Sequence, residues 1–231
     1  MTVICIYDAT RISEFKQGQE LVVPDPKELH SFKGFEDSPS STEPKTRIIV
    51  AKISRLNNKN SYHFRVKQES ETILDTIRIF DLGSLEYGYY DKGWQRVESF
   101  DCEYDPTDEE LIVYHDQESA RLFVKRFNKY LEAKSKKFDL NKFCSRTDYR
   151  IWGIWSEGRE LHIAKEARFG HHLNDLDLAS LPAITALNIV VKIGKKETSI
   201  TLSSKGIVSA QSGISVKQLL EFYRNEKNNL L

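Results

Sequence analysis

This 231-residue chain has few of the residues that cross-link or label a protein. It holds three cysteines and one methionine. Cys5, Cys102 and Cys144 are odd in number and far apart. That excludes a disulfide framework and any CxxC metal or redox motif. No stretch approaches the roughly 18 consecutive apolar residues of a membrane span. The start, Met1-Thr2-Val3-Ile4-Cys5-Ile6-Tyr7, has neither the basic residues nor the length of a signal peptide. A cytoplasmic, reducing location without membrane contact is the expectation. Glycine-rich phosphate loops of the P-loop or GxGxxG kind are missing, as is GxSxG. Charge of one sign is also missing: 34 basic residues balance 34 acidic ones. A uniformly basic nucleic-acid binder is excluded.

What is present is alternation. Short β-rich runs cover residues 2–7 and 20–23, and residues 46–104 carry the pattern of a β-meander. Tyr62, Phe64 and Val66 alternate with His63 and Arg65 as in a half-buried strand. Tyr90-Asp91-Lys92-Gly93-Trp94 has the composition of a hairpin turn, with Gly88 and Gly93 as turn or bulge glycines. Leu111–His115 is a strand, and Asp116 is placed to cap a helix spanning 117–135. Its apolar stripe is Ala120, Phe123, Val124, Phe127, Tyr130 and Leu131. Arg150–Trp155 and Arg159–Lys165 pair as a hairpin, and strands follow at 187–193, 198–202 and 207–210. Ser215-Val216-Lys217-Gln218 is a capping box opening a last helix, with Ile214 and Leu219 placed as its hydrophobic staple. The fold class is α+β: an antiparallel meander then a helix, followed by a second antiparallel β-rich half ending in a helix. The organisation is an N-terminal unit at 1–135, a connector at 136–147 and a C-terminal unit at 148–231, or one continuous sheet. Four of the six prolines (Pro24, Pro26, Pro39, Pro44) fall in 24–46, expected as a long mobile loop.

Candidate chemistry is sparse. Asp101, Glu103 and Asp105 alternate, so a strand would put all three carboxylates on one face, fit for Mg²⁺ or for a solvated edge. His171, His172, Asp175 and Asp177 could ligate Zn or Mn, although adjacent histidines on a strand point opposite ways. His30, His63, His115 and His162 stand singly. Neither group is assigned as a metal site, and no catalytic residue or cofactor is assigned.

Two surface features remain. Tyr87, Tyr89, Tyr90 and Trp94 crowd one short segment. Exposed aromatic rings on a sheet serve protein interfaces or base stacking. Arg121, Lys125 and Lys129 recur at four-residue steps and lead into Lys134, Lys136 and Lys137, a stripe that a phosphate backbone could follow. The neutrality of the chain is a cancellation: residues 71–118 hold 14 acidic and 3 basic residues, while 119–150 hold 3 acidic and 10 basic. These blocks can neutralise each other within the fold or across a dimer.

The run Leu111–Tyr130, a strand followed by the "DQESARLFVKRF" helix, resembles the layout of the DNA-binding B subunit of the bacterial Kiwa anti-phage system. The resemblance spans about a tenth of the chain and lies in apolar spacing. It implies nucleic-acid binding in a prokaryotic or phage setting. The residues themselves favour a non-enzymatic interaction subunit that binds a protein partner or forms a homo-oligomer. A nucleic-acid-binding accessory protein and a metal-dependent nuclease or hydrolase are the alternatives.

Overall fold

Period-two alternation folds most of the chain into antiparallel strands. The computed structural model describes residues 1–23, 46–69, 73–81, 86–94, 97–146, 149–156, 159–161, 183–193, 196–211 and 213–231. Of these, 73–81, 86–94, 146 and 159–161 are described by backbone alone. Residues 24–45 of the expected loop lie outside the described residues, as do His30, His162, His171, His172, Asp175 and Asp177.

The first strands are β1 (Thr2–Ile12), β2 (Glu20–Val23), β3 (Thr46–Leu56), β4 (Lys59–Glu69), β5 (Ile73–Asp81), β6 (Glu86–Trp94), β7 (Val97–Asp105) and β8 (Glu110–Val113). Helix α1 (Gln117–Phe127), strand β9 (Leu131–Ser135) and helix α2 (Leu140–Arg146) follow. The second half holds β10 (Arg150–Ser156), β11 (Arg159–Leu161), β12 (Ile184–Ile193), β13 (Lys196–Ser203), β14 (Ile207–Ala210) and helix α3 (Val216–Leu230). The architecture is α+β, mostly antiparallel sheet with three described helices, the last of them C-terminal. A single sheet runs β11-β10-β12-β13-β14-β1-β8-β7-β4-β3-β2, and β9 also pairs with β1. Strands β5 and β6 form a separate two-stranded ribbon. Among the described residues no helix is long and apolar enough to cross a membrane.

Strand β1 joins the halves. One of its edges takes β8, and the other takes β14 at Thr2–Cys5 and then β9 at Tyr7–Ile12. Where β14 gives way to β9, the Ile6 N–H donates to the Gly206 carbonyl and the Lys136 N–H donates to the Ile6 carbonyl. Gly206 has φ +74°, and a Cβ there would sit 2.6 Å from the Lys136 carbonyl oxygen and 2.7 Å from that of Ile6. Only glycine fits this seam.

The sheet is covered on both faces, but by different helices over different halves. Cys5 and Tyr7 of β1, with Leu111 and Val113 of β8, share a core with Phe123 and Phe127 of α1. That core extends under β7, β4 and β3 through Cys102, Phe64 and Ile48. Ile4, Ile6 and Ile112 point the other way, into a core with Phe143 of α2, Leu219 and Tyr223 of α3, and the strands of the second half. Burying each such ring or branched side chain contributes about 2–3 kcal/mol. The capping details follow local rules. Asp116 Oδ1 accepts from the Glu118 and Ser119 N–H groups, and Ser215 with Gln218 completes the capping box of α3.

Three expectations are corrected. The helix expected over 117–135 ends at Phe127, and 131–135 is strand β9. The second half of β1, unforeseen beyond residue 7, offers an edge there, and ladder hydrogen bonds replace helical ones. The expected connector at 136–147 contributes to the core: Phe138, Leu140, Phe143 and Cys144 are buried, the last three on α2. Residues 90–94 are not a turn. Strand β6 runs through them, and Gly88 and Gly93 pair regularly with Ile79 and Leu74.

One buried ionic group ties these parts together. Glu110, at the start of β8, is 2% exposed and meets Lys136 Nζ at 2.6 Å, Lys227 Nζ at 3.0 Å and the Tyr223 hydroxyl at 2.8 Å. Asp8 binds Lys136 at 2.8 Å and Asp108 binds Lys227 at 2.7 Å. Burial works to lower the Lys136 pKa, but hydrogen bonds to Asp8 and Glu110 outweigh it and the net shift is upward.

Two measurements check this reading. Gly206→Ala and Gly18→Ala both place a side chain at positive φ, but around Gly18 nothing lies within 4 Å. In urea unfolding G18A is expected to lose about 1 kcal/mol, and G206A about 3 kcal/mol or more, with strain added to the φ cost. Lys136→Met leaves Glu110 short of a cation and is expected to cost on the order of 3 kcal/mol at pH 7. A lysine with a raised folded pKa stabilises below its unfolded value of about 10.4 and loses that contribution as pH climbs through the folded value. The variant should therefore show a shallower stability decline above pH 10 than the wild-type chain.

Candidate functional site

Each helix covers only part of a face. Helix α3 lies over β1, β8 and the second half, so the same face of β7, β4 and β3 carries no helix among the described residues. Alternation fills this bare face with side chains that the core rejects: Arg47 and Ile49 from β3, His63, Arg65 and Lys67 from β4, and Ser99, Asp101 and Glu103 from β7. Register sets Arg65 opposite Asp101 and His63 opposite Glu103.

Two adjoining depressions mark the face, and both are lined by Ser99, Phe100 and Asp101. The first, about 350 Å³, reaches Arg47, Ile49 and Arg65. The second, about 510 Å³, reaches His63, Glu103, Tyr114 and the first turn of α3 at Val216 and Lys217. The first end is therefore mainly basic, with Arg47 held by Glu20 at 2.9 Å. The second holds the Asp101 and Glu103 carboxylates around His63. The imidazole offers Nε2 to Asp101 at 3.5 Å and Nδ1 to Glu103 at 3.3 Å. Burial, and then a hydrogen bond to Glu103, push the Tyr114 phenol pKa upward.

No protein-family model matches the chain, and no curated protein matches it. Function must be read from the residues.

The alternation expected for Asp101, Glu103 and Asp105 is present, with Phe100, Cys102 and Tyr104 buried between them. The three carboxylates do not act as one group. Asp105 turns to accept the Thr107 N–H at 2.8 Å, closing the turn at Pro106. Asp101 and Glu103 face opposite nitrogens of one ring, which leaves no single point that all three ligands reach.

The basic stripe is split. Arg121 and Lys125 are exposed on α1, and Lys129 is exposed in the turn after it. Lys134 lies on β9 opposite Asp8 and is exposed, as is Lys137. Lys136 is corrected: it is 7% exposed and engaged by Asp8 and Glu110, so it cannot reach a ligand in solvent. Strand alternation turns it inward where a continued helix would have kept it outside. The α1 stripe and the basic end of the groove lie on opposite faces of the sheet.

Tyr87, Tyr89, Tyr90 and Trp94 all lie on β6, opposite Phe80, Arg78, Ile77 and Ile73 of β5. Their side chains lie outside what is described. The three thiols are buried and free. Burial pushes Cys5 and Cys144 up to about 12, for Cys5 with help from Asp116. Cys102 is raised well above its ordinary value by burial and by Asp101 and Glu103. None is poised as a thiolate nucleophile.

Sequence reasoning missed the basic end of the groove, because Arg47, Arg65 and Lys67 are scattered in a segment of modest net charge. The signal was their odd-numbered alternation with buried neighbours. It also missed Trp152 and Trp155, half-buried on the opposite face, where the Trp152 indole donates to Ser199 Oγ at 2.9 Å.

Proposed function

We propose that this protein is a non-enzymatic interaction subunit that pairs with a second copy of itself through the bare face of β3, β4 and β7. The observation that carries this reading is the division of charge along one groove that no helix covers among the described residues. Arg47, Arg65 and Lys67 lie toward one end, and Asp101 and Glu103 toward the other. A two-fold axis lying in the plane of the interface and perpendicular to the groove, near Arg65 and Asp101, lays the basic end of each copy over the acidic end of the other. Such a patch is complementary to itself, as a two-fold interface requires. Ile49 and Val216, exposed at 38% and 37%, supply an apolar anchor near either end.

Analytical ultracentrifugation at micromolar concentration tests it. The wild-type chain should dimerise at low salt and dissociate as salt rises. Arg65→Glu with Lys67→Glu should weaken self-association about tenfold or more, and so should Asp101→Lys with Glu103→Lys. Mixed together, the two variants should form a heterodimer, because one presents a mainly acidic groove and the other a mainly basic one. A salt-insensitive monomer, or a mixture that fails to pair, excludes this mode of self-association.

A second reading rests on a separate observation, the exposure of Arg121 and Lys125 one helical turn apart on the solvent side of α1. It supports a nucleic-acid-binding accessory role, in line with the strand-then-helix layout of Leu111–Tyr130. Gel shifts with single- and double-stranded oligonucleotides should show a complex that weakens steeply with salt. Arg121→Glu with Lys125→Glu should abolish it. No shift at high protein concentration would remove this alternative.

A further inference from the structure

Three donor groups converge where β7 passes the entrance to α1. Glu98 lies near the start of β7, and His115 and Asp116 form the corner between β8 and α1. One ligand atom from each, two carboxylate oxygens and an imidazole nitrogen, lie within 4.8 Å of one another, and all three residues are half-buried. The His115 Nδ1 atom is shielded from solvent. It lies in direct contact with the Asp116 carboxylate, and that pairing favours the ionised carboxylate. An imidazole nitrogen held against a carboxylate can exchange its proton for a metal ion that both groups then ligate.

The carboxylates are also held in place. The Ser119 hydroxyl donates to Glu98 Oε2 at 2.5 Å. The backbone N–H groups of Glu118 and Ser119 donate to Asp116 Oδ1 at 3.0 and 3.1 Å. Both acids are thus oriented by donors at the entrance to α1, as the groups behind a metal ligand orient it. The Phe100 ring packs on the imidazole with centroids 4.9 Å apart and limits its rotation. The contrast with His63 is instructive. That ring spends both nitrogens on carboxylates at its two ends, whereas here the donor atoms share one small volume.

We propose that Glu98, His115 and Asp116 form a binding site for a divalent first-row metal ion, zinc being the best fit. A neutral imidazole with two carboxylates balances a doubly charged ion, and three protein ligands leave a fourth, tetrahedral position for water. The ion would clamp β7 to the start of α1. This site is separate from the bare-face groove and does not depend on the pairing proposed for it.

The full chain, treated with EDTA and dialysed, is titrated with zinc chloride by calorimetry, and its melting temperature is followed with and without the metal. The wild-type protein should bind zinc and melt higher in its presence. His115→Gln and Glu98→Gln should each lose one equivalent or weaken it about tenfold to a hundredfold. His63→Gln should bind like the wild type. Circular dichroism identifies the variants that remain folded, and either of the two suffices for the comparison. Cobalt in place of zinc should give visible absorption that is lost in the same variants. No uptake by the wild-type chain, or uptake that both variants retain in full, overturns the proposal. Uptake retained in this way would place the metal elsewhere, for example at His171 and His172.

Discussion

The carboxylate of Glu110 is the constraint on which the arrangement of this protein depends. A charge with 2% exposure is costly unless it is surrounded by donors. Its three donors come from two places distant in sequence: Lys136 after β9, and Tyr223 and Lys227 on α3. Asp8 of β1 and Asp108 of the β7–β8 turn complete the charge balance around the two lysines. The group can be satisfied only when α3 lies across β1 and β8 and the chain after β9 runs beside them. Docking α3 elsewhere would leave a buried carboxylate without its partners.

That placement has a consequence on the other side of β8. Because α3 is held over the middle of the sheet, it does not reach β7, β4 and β3. Among the described residues no helix covers their outward side chains, and the first turn of α3 becomes one wall of a groove. The groove is therefore a by-product of where the ionic group holds the helix. Its charge division has a second origin. The acidic residues of 71–118 supply Asp101 and Glu103, but part of the same acidic block is turned inward. Glu110 and Asp108 neutralise Lys136 and Lys227 within the fold. Neutrality over the whole chain thus combines internal pairing with an exposed remainder of both signs.

Local features were legible from the residues alone. Alternation marked β4 and β7, and the caps at Asp116 and Ser215 act through side chains within three residues of their targets. Such interactions need no knowledge of the rest of the fold. The departures all lie where distant segments compete with local preference. Tyr130 and Leu131 extend a helical stripe, yet Leu131 pairs with Ile12 across the sheet. A stripe of period 3.6 and an alternation of period two coincide over so few residues, so sequence spacing could not separate them. Phe138, Leu140 and Phe143 lie among lysines and a serine that suggest a connector, but they fill the space between the sheet and α3.

By itself, then, the sequence determined the α+β class, the strand alternation and the helix caps, because each depends on neighbours a few residues apart. The tertiary structure alone decided that Lys136 serves the interior, that Arg47 and Arg65 share a face with Asp101, and that Glu98 meets His115 and Asp116. Those outcomes depend on strand register and helix docking. Register is set by pairing between strands far apart in the chain, and the docking of α3 is set by the requirement to solvate one buried carboxylate.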